Sequence, residues 1–133
     1  MAKKKESSPN REIEPFLAAA ARKKGQDLVA LDMRGLSSVA DFFVIISGRS
    51  TRQVSAIADD MLAYLGEHGL RPIGVEGLSG GQWVLLDYGN VIVHVFDGPV
   101  REFYDMESLW ADAPRVDVEK KKRGRGKSTS VEE

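Results

Sequence analysis

Residues 82–96 have the sequence QWVLLDYGNVIVHVF, and this stretch predicts a β-hairpin. Its loop is the pair Gly89 and Asn90, and a glycine at the first loop position favours a type II′ turn. The turn sets the register of the two strands, whose side chains then alternate between two faces. The opposed pairs on the first face are all apolar and should lie on the core: Tyr88 with Val91, Leu86 with Val93, and Val84 with Val95.

The second face of the hairpin is mixed in character. It opposes Trp83 to Phe96, Leu85 to His94, and Asp87 to Ile92. Such a face is too apolar to be fully solvated and too polar for an ordinary core, which is typical of a surface that lies beneath a helix or binds a partner. Trp83 follows a glycine-rich loop at the start of a strand, so it suits either a core position or an interface contact.

The composition limits the kinds of protein that this chain can be. Its 133 residues suit one domain with a sizeable core, and the absence of cysteine excludes disulfides, thiolate metal sites and thiol catalysis. No apolar run reaches the roughly 20 residues that span a bilayer. The basic N-terminus is not followed by an apolar stretch, so we predict neither a membrane contact nor a signal peptide. The lack of cysteine agrees with a cytoplasmic location.

Charge is distributed unevenly along the chain. Residues 14–113 contain eight basic and fourteen acidic side chains, a net charge of −6, whereas both ends are basic. An acidic body repels phosphate but complements a basic protein. We predict disordered basic tails at 1–11 and 114–133 around a single domain at 12–113. A further hypothesis is weak contact of the second tail with rRNA through its basic run: Lys120, Lys121, Lys122 and Arg123.

Local signals predict the element order α-β-β-α-β-β-β-α. The second helix is the best defined, because Ser50 and Gln53 form a capping box before a helical pattern of apolar residues. The run 42–46 is continuously apolar, so its strand should be buried on both faces, and the strand at 71–75 contains a proline and should lie at an edge. Pro114 should end the fold. Candidates for the packing side of the last helix are Val100, Phe103, Tyr104 and Leu109.

The fold class that follows from this order is α/β. Alternating helices and strands of these lengths predict a single-domain sandwich in which helices cover a mixed five-stranded sheet.

One segment is similar to an enzyme motif. Residues 47–50, Ser-Gly-Arg-Ser between a strand and a helix, resemble the turn with which nucleotidyltransferases hold a triphosphate. Those enzymes also need two carboxylates at one-residue spacing on a strand, to hold two metal ions. Asp59 and Asp60 are adjacent on a helix and diverge, and His68 and His94 lack the spacing of metal ligands. We therefore predict no catalytic residue, no metal site and no cofactor, with nucleotidyl transfer as the alternative.

Six short segments have a characteristic order and spacing between residues 12 and 112. They are Ala30-Leu31-Asp32, Ala40-Asp41-Phe42, Gly74-Val75-Glu76-Gly77, Trp83-Val84-Leu85-Leu86-Asp87, Val91-Ile92-Val93-His94-Val95-Phe96 and Leu109-Trp110. In this arrangement the chain resembles the ribosomal silencing factor family (RsfS, also called Iojap-related).

The resemblance implies a fold and a function. The fold is nucleotidyltransferase-like without the catalytic acids. The function is binding of the large ribosomal subunit through ribosomal protein L-fourteen, which blocks joining of the small subunit and represses translation. A role in large-subunit maturation is the alternative, and the resemblance also implies homodimer formation. The positions assigned to partner binding are Glu76, Trp83, Leu85, Asp87, Tyr88 and His94.

Overall fold

The computed structural model describes residues 11–118, so the basic run from Lys120 to Arg123 and most of both predicted tails lie outside it. The described residues form one sheet with helices packed on both of its faces. The strands are β1 (Gln26–Asp32), β2 (Phe42–Gly48), β3 (Gly74–Glu76), β4 (Trp83–Asp87), β5 (Val91–Asp97) and β6 (Arg115–Val116). The helices are α1 (Glu14–Ala20), α2 (Thr51–Glu67), α3 (Gly98–Tyr104) and α4 (Met106–Leu109). None of these helices is long and apolar enough to cross a membrane.

The strands lie in the order β3-β4-β5-β2-β1-β6. The central strands β5 and β2 are parallel, and all other neighbours are antiparallel. Every residue of β2 is buried, as its continuous apolar run predicted, because the strand has a neighbour on each side and a layer on each face. The short strand β3 lies at the edge, which confirms the prediction made from its proline.

The hairpin of β4 and β5 has the predicted register. Trp83 pairs with Phe96, and the predicted pairs follow in order along both strands. The backbone N–H of Tyr88 donates to the carbonyl of Val91 at 2.9 Å and closes the loop. Gly89 has a φ of +88°, which an L side chain rarely adopts, so glycine is required at the first loop position as predicted.

The inner face of the sheet, defined as the side beneath α1 and α2, carries the main core. Val84, Leu86 and Val93 of the hairpin are fully buried there, in one cluster with apolar residues of both helices. The α2 residues of this cluster follow at helical spacing, as predicted: Val54, Ile57, Ala58, Met61 and Leu65.

The N-terminus of α2 has the predicted cap. The backbone N–H of Gln53 donates to Ser50 Oγ at 3.1 Å. The Gln53 side chain completes the motif one residue earlier than a standard capping box, because its Oε1 accepts the N–H of Arg49 at 2.6 Å. Its Nε2 also donates to the carbonyl of Lys24 at 3.1 Å, so the cap ties α2 to the segment before β1.

The outer face, on the opposite side, carries a smaller core. Its sheet residues include Leu31, Phe43, Ile45, Ile92 and Phe96. The covering layer is short: α3, α4 and the turn after α4 contribute the partly buried Val100, Met106 and Trp110.

The end of the chain differs from the prediction in two ways. The sheet has six strands instead of five, because Arg115 and Val116 pair with β1 beyond the predicted boundary at 113. The carbonyl of Pro114, expected to end the fold, accepts the N–H of Asp32 at 2.8 Å and leads into this strand. Two residues are too few to display a period of two, so the sequence carried no strand signal here.

The last helix is also divided. Asp105 has a φ of +47°, and this left-handed residue ends α3 and begins α4. The two pieces replace the one helix that the sequence predicted.

Candidate functional site

Five of the six residues predicted to bind a partner lie on the outer face, near the β3 edge. Glu76 pairs across the strands with Leu85, and Leu85 pairs with His94, so these three share one row of the sheet. Trp83 and Asp87 flank Leu85 at two-residue spacing and therefore share its face. Exposure decreases inward along the row: Glu76 is exposed, Leu85 is half-buried and His94 is buried.

Trp83 is half-buried between aromatic rings. Its ring stacks on Phe96 of β5, with centroids 4.9 Å apart, and Tyr104 of α3 lies against it at the same centroid distance. Its indole N–H donates to His94 Nδ1 at 3.2 Å. Trp83 is therefore held from below and from one side, an intermediate between the core and contact positions that the sequence left open.

His94 supports Trp83 from beneath. Because an indole N–H can only donate, Nδ1 of His94 is the unprotonated nitrogen and the ring proton lies on Nε2. That Nε2 is buried and has no hydrogen-bond partner among the described residues. Burial lowers the pKa of His94 from 6.5 to about 4, so the ring is neutral at physiological pH. With only 4% of its surface exposed, His94 positions Trp83 and does not itself reach a partner.

The loop before Trp83 is fitted to it. Gly77 has a φ of +83°, and a Cβ there would overlap the carbonyl oxygen of Trp83. The Gly77 carbonyl accepts the N–H groups of Gly80 and Gly81 at 3.2 and 3.0 Å, which closes the loop on itself. The loop is also attached to α2, because Ser55 Oγ donates to the carbonyl of Leu78 at 3.2 Å.

Asp87 lies at the loop end of the surface and is only half-exposed, although the sequence predicted full exposure. Its Oδ1 accepts the N–H of Gly89 at 2.8 Å, which brings the carboxylate close to the turn. The second oxygen of the carboxylate has no hydrogen-bond partner among the described residues and is available to a cationic group.

Tyr88 does not belong to this surface. It follows Asp87 by one residue, so strand alternation directs it to the inner face, where it packs against the main core and meets Phe16 at 5.0 Å between centroids. Its hydroxyl is buried without a hydrogen-bond partner among residues 11–118, and this desolvation raises the pKa of Tyr88. The structure therefore separates Tyr88 from the other five candidates.

The covering layer contains exposed aromatics that were predicted to pack inward. Val100 faces the outer core as expected, but Phe103 is 79% exposed, Tyr104 52% and Leu109 73%. The left-handed Asp105 breaks the helical period between Tyr104 and Leu109, so the sequence spacing did not describe one face. The rings of Phe103 and Tyr104 are 5.1 Å apart, and Tyr104 links the pair to Trp83.

The negative charge of the body is concentrated in the half that carries this surface. Residues 14–72 contain seven acidic and seven basic side chains, whereas residues 73–114 contain seven acidic side chains and only Arg101 as a base. Arg101 is buried, and it donates to both carboxylate oxygens of Glu107, at 3.1 and 2.9 Å, and to Ser47 Oγ at 2.7 Å. The solvent-facing charge around Trp83 is therefore acidic.

The turn that resembles a nucleotidyltransferase motif does not lie beside a carboxylate pair of the required kind. Asp60 forms an ion pair with Arg22 at 2.8 Å, which lowers the pKa of Asp60, while the adjacent Asp59 is exposed. A cleft of about 350 Å³ borders Ser47, but Arg101 within it is already engaged. Among residues 11–118 no three histidine or acidic side chains come close enough to hold a metal ion.

Comparison with known proteins adds an independent line of argument. A family model described as "Ribosomal silencing factor during starvation" matches residues 5–133. A Bacillus subtilis protein named ribosomal silencing factor RsfS is 44% identical over 102 residues, covering 77% of this chain and 86% of that protein. A crystal structure of a Chromobacterium violaceum protein has a TM-score of 0.72 and 40% identity, covering 75% of this chain and 84% of that chain.

A more distant relative has a different name. A mouse protein named "Mitochondrial assembly of ribosomal large subunit protein 1" is 24% identical over 102 residues, which cover 74% of this chain and 45% of the mouse protein.

Proposed function

This chain belongs to the ribosomal silencing factor family, and we propose that it binds the large ribosomal subunit through ribosomal protein L-fourteen and blocks joining of the small subunit. Translation is repressed as a result, and the protein acts in the cytoplasm. The action is steric: no bond is made or broken, and we assign no catalytic residue. The fold is proposed to be nucleotidyltransferase-like, on the basis of the turn at 47–50 between β2 and α2.

The observation that carries the proposal is the half-buried Trp83 on an acidic, partly apolar face. Aromatic side chains with a supported ring and one free side are frequent anchors of protein interfaces. The ring is preorganised by Phe96 and by the hydrogen bond to His94, so little side-chain freedom is lost on binding. The surrounding carboxylates, Glu76 and Asp87, favour a basic protein over exposed rRNA phosphate.

The basic run beyond the described residues has an accessory role in this proposal. Lys120, Lys121, Lys122 and Arg123 add weak attraction to rRNA near the protein partner. Deletion of residues 119–133 should reduce the salt dependence of binding and leave the complex intact at physiological salt. Complete loss of binding on this deletion would contradict an anchor on the folded domain.

A role in large-subunit assembly is the second candidate, and the printed name of the mouse relative favours it. Both roles use the same surface. An assembly factor would bind precursor particles more tightly than mature large subunits, whereas a silencing factor would bind mature subunits and prevent their joining. Sedimentation of the full chain with each kind of particle separates the two.

The central experiment is co-sedimentation of the full chain with isolated subunits. We expect the chain to sediment with the large subunit and to prevent formation of the joined ribosome. Trp83→Ala should weaken binding by about 2 kcal/mol, or roughly thirtyfold, because it removes the aromatic anchor. Thermal melts accompany the binding data, since the ring also packs on Phe96 and its loss lowers stability.

Asp87 offers a test that leaves the aromatic packing intact. Asp87→Asn keeps the oxygen that accepts the Gly89 N–H and removes the charge, whereas Asp87→Lys reverses it. Binding should weaken in the order wild type, Asn, Lys. Asp59→Lys, on the exposed side of α2, is the matched control and should bind like the wild type. Equal effects of the charge reversals at Asp87 and Asp59 would contradict a local contact.

A further inference from the structure

The rings of Phe103 and Tyr104 are exposed although both belong to a helix that packs on the sheet. Phe103 is 79% exposed and Tyr104 52%, while Val100 of the same helix faces the outer core. The pair is edge-to-face at 5.1 Å, and Tyr104 lies against Trp83 at 4.9 Å. The aromatic surface therefore continues from the sheet onto α3 and does not end at Trp83.

Carboxylates border this pair of rings on both sides. Glu102 precedes the two aromatics and Asp105 follows them, and both are exposed. The nearest base along the chain, Arg101, is buried against Glu107 and Ser47 and cannot neutralise them. Two rings between two carboxylates form half of a site for a lysine or arginine side chain, whose stem packs on the rings while its charge meets the acids.

We propose that Phe103 and Tyr104, with Glu102 and Asp105, receive a lysine or arginine of the basic protein that Trp83 contacts. The inference rests on the proposed function and extends it, since it names the chemistry of the partner at a second point of the surface. A second copy of this chain fits poorly, because residues 73–114 would bring seven acidic side chains and one engaged base against the same set. Nucleic acid fits poorly for the same electrostatic reason.

The test is binding of the full chain to the isolated large subunit at several salt concentrations. Phe103→Ser should weaken binding about tenfold, as expected for loss of a contributing aromatic contact. The double change Glu102→Gln and Asp105→Asn should slow association and reduce its salt dependence. Asparagine is chosen at position 105 because it tolerates the left-handed φ of +47° found there.

Val39→Ser is the matched control. Val39 is 67% exposed and precedes β2, whose first residue pairs with Val91 next to the hairpin loop. Trp83 pairs with Phe96 near the other end of β5, so Val39 lies far from the aromatic surface. This variant should bind like the wild type. Thermal melts of both serine variants should match the wild type, because both side chains already face solvent.

The outcomes are separable. If Trp83→Ala loses binding but Phe103→Ser and the double variant retain it, the inference is overturned and the proposed function stands. If the wild type does not bind the large subunit, the proposed function itself fails. Phe103-dependent binding to protein-free rRNA, or Phe103-dependent dimers of the chain alone in analytical ultracentrifugation, would assign the surface to another occupant and overturn the inference.

Discussion

The two faces of the sheet are covered differently. On the inner face, α1 and the 17-residue α2 bury a continuous apolar cluster, to which the hairpin contributes Val84 and Leu86 at 0% exposure. On the outer face, the seven-residue α3 and four-residue α4 leave Trp83 and Leu85 half-buried and place a neutral histidine beneath them. The same two strands thus supply stability through one face and a partly open surface through the other, because consecutive side chains alternate.

The adjacent leucines of β4 test this division most directly. Leu86→Ala should lower the free energy of unfolding by about 2–5 kcal/mol, because it leaves a cavity in the inner core. Leu85→Ala, one residue earlier on the outer face, should cost clearly less stability and weaken binding to the large subunit. Urea denaturation and co-sedimentation of both variants measure the two effects. Similar losses of stability in both variants would contradict the division between the faces.

The neutral His94 should make stability depend on pH. The unfolded chain protonates this histidine near pH 6.5, but the folded chain does so only near pH 4, because burial lowers its pKa. Its contribution to stability is complete above pH 6.5 and is lost as pH falls towards 4, a change of roughly 3 kcal/mol. Urea denaturation at pH 7, 5.5 and 4.5 measures this slope.

Two variants isolate that slope. His94→Gln removes the titrating group and keeps an acceptor for the Trp83 N–H, so its stability should vary less between pH 7 and 4.5. His68→Gln changes the exposed histidine at the C-terminus of α2 and should keep the slope of the wild type. An unchanged slope in His94→Gln would show that this imidazole is not the group responsible.

A smaller effect is expected at the cap of α2. Ser50→Ala removes the acceptor of the Gln53 N–H and should cost about 1 kcal/mol of stability. Because α2 covers only the inner face, binding to the large subunit should be unchanged when measured on folded protein. Reduced binding at a temperature where Ser50→Ala is fully folded would show that the two faces are coupled through this helix.

The smallest expected effect is at Tyr88. Tyr88→Phe removes a buried hydroxyl that has no partner among the described residues, so stability should stay constant or rise by up to about 1 kcal/mol. The ring contact with Phe16 on the inner face is retained, and binding should not change. Weaker binding by Tyr88→Phe would return this residue to the interface, as the resemblance implied.

The sequence by itself determined the local features of this protein. The alternation of residues 82–96 and the Gly89 loop were sufficient for the hairpin register, and the apolar run of β2 for its double burial. The Ser50 cap could be located because capping depends on a few neighbouring residues. All of these follow from short-range geometry, in which one residue's position decides the direction of the next.

Only the tertiary structure decided which side chains the surface contains. Asp105 divides the last helix and leaves Phe103 exposed, and β6 exists because β1 offers a free edge. The hydrogen bond between Trp83 and His94, eleven residues apart, fixes a ring that the sequence could assign to core or contact. These outcomes depend on how far the covering layer extends over the outer face, which is set by packing between distant segments and leaves no periodic signal in the chain.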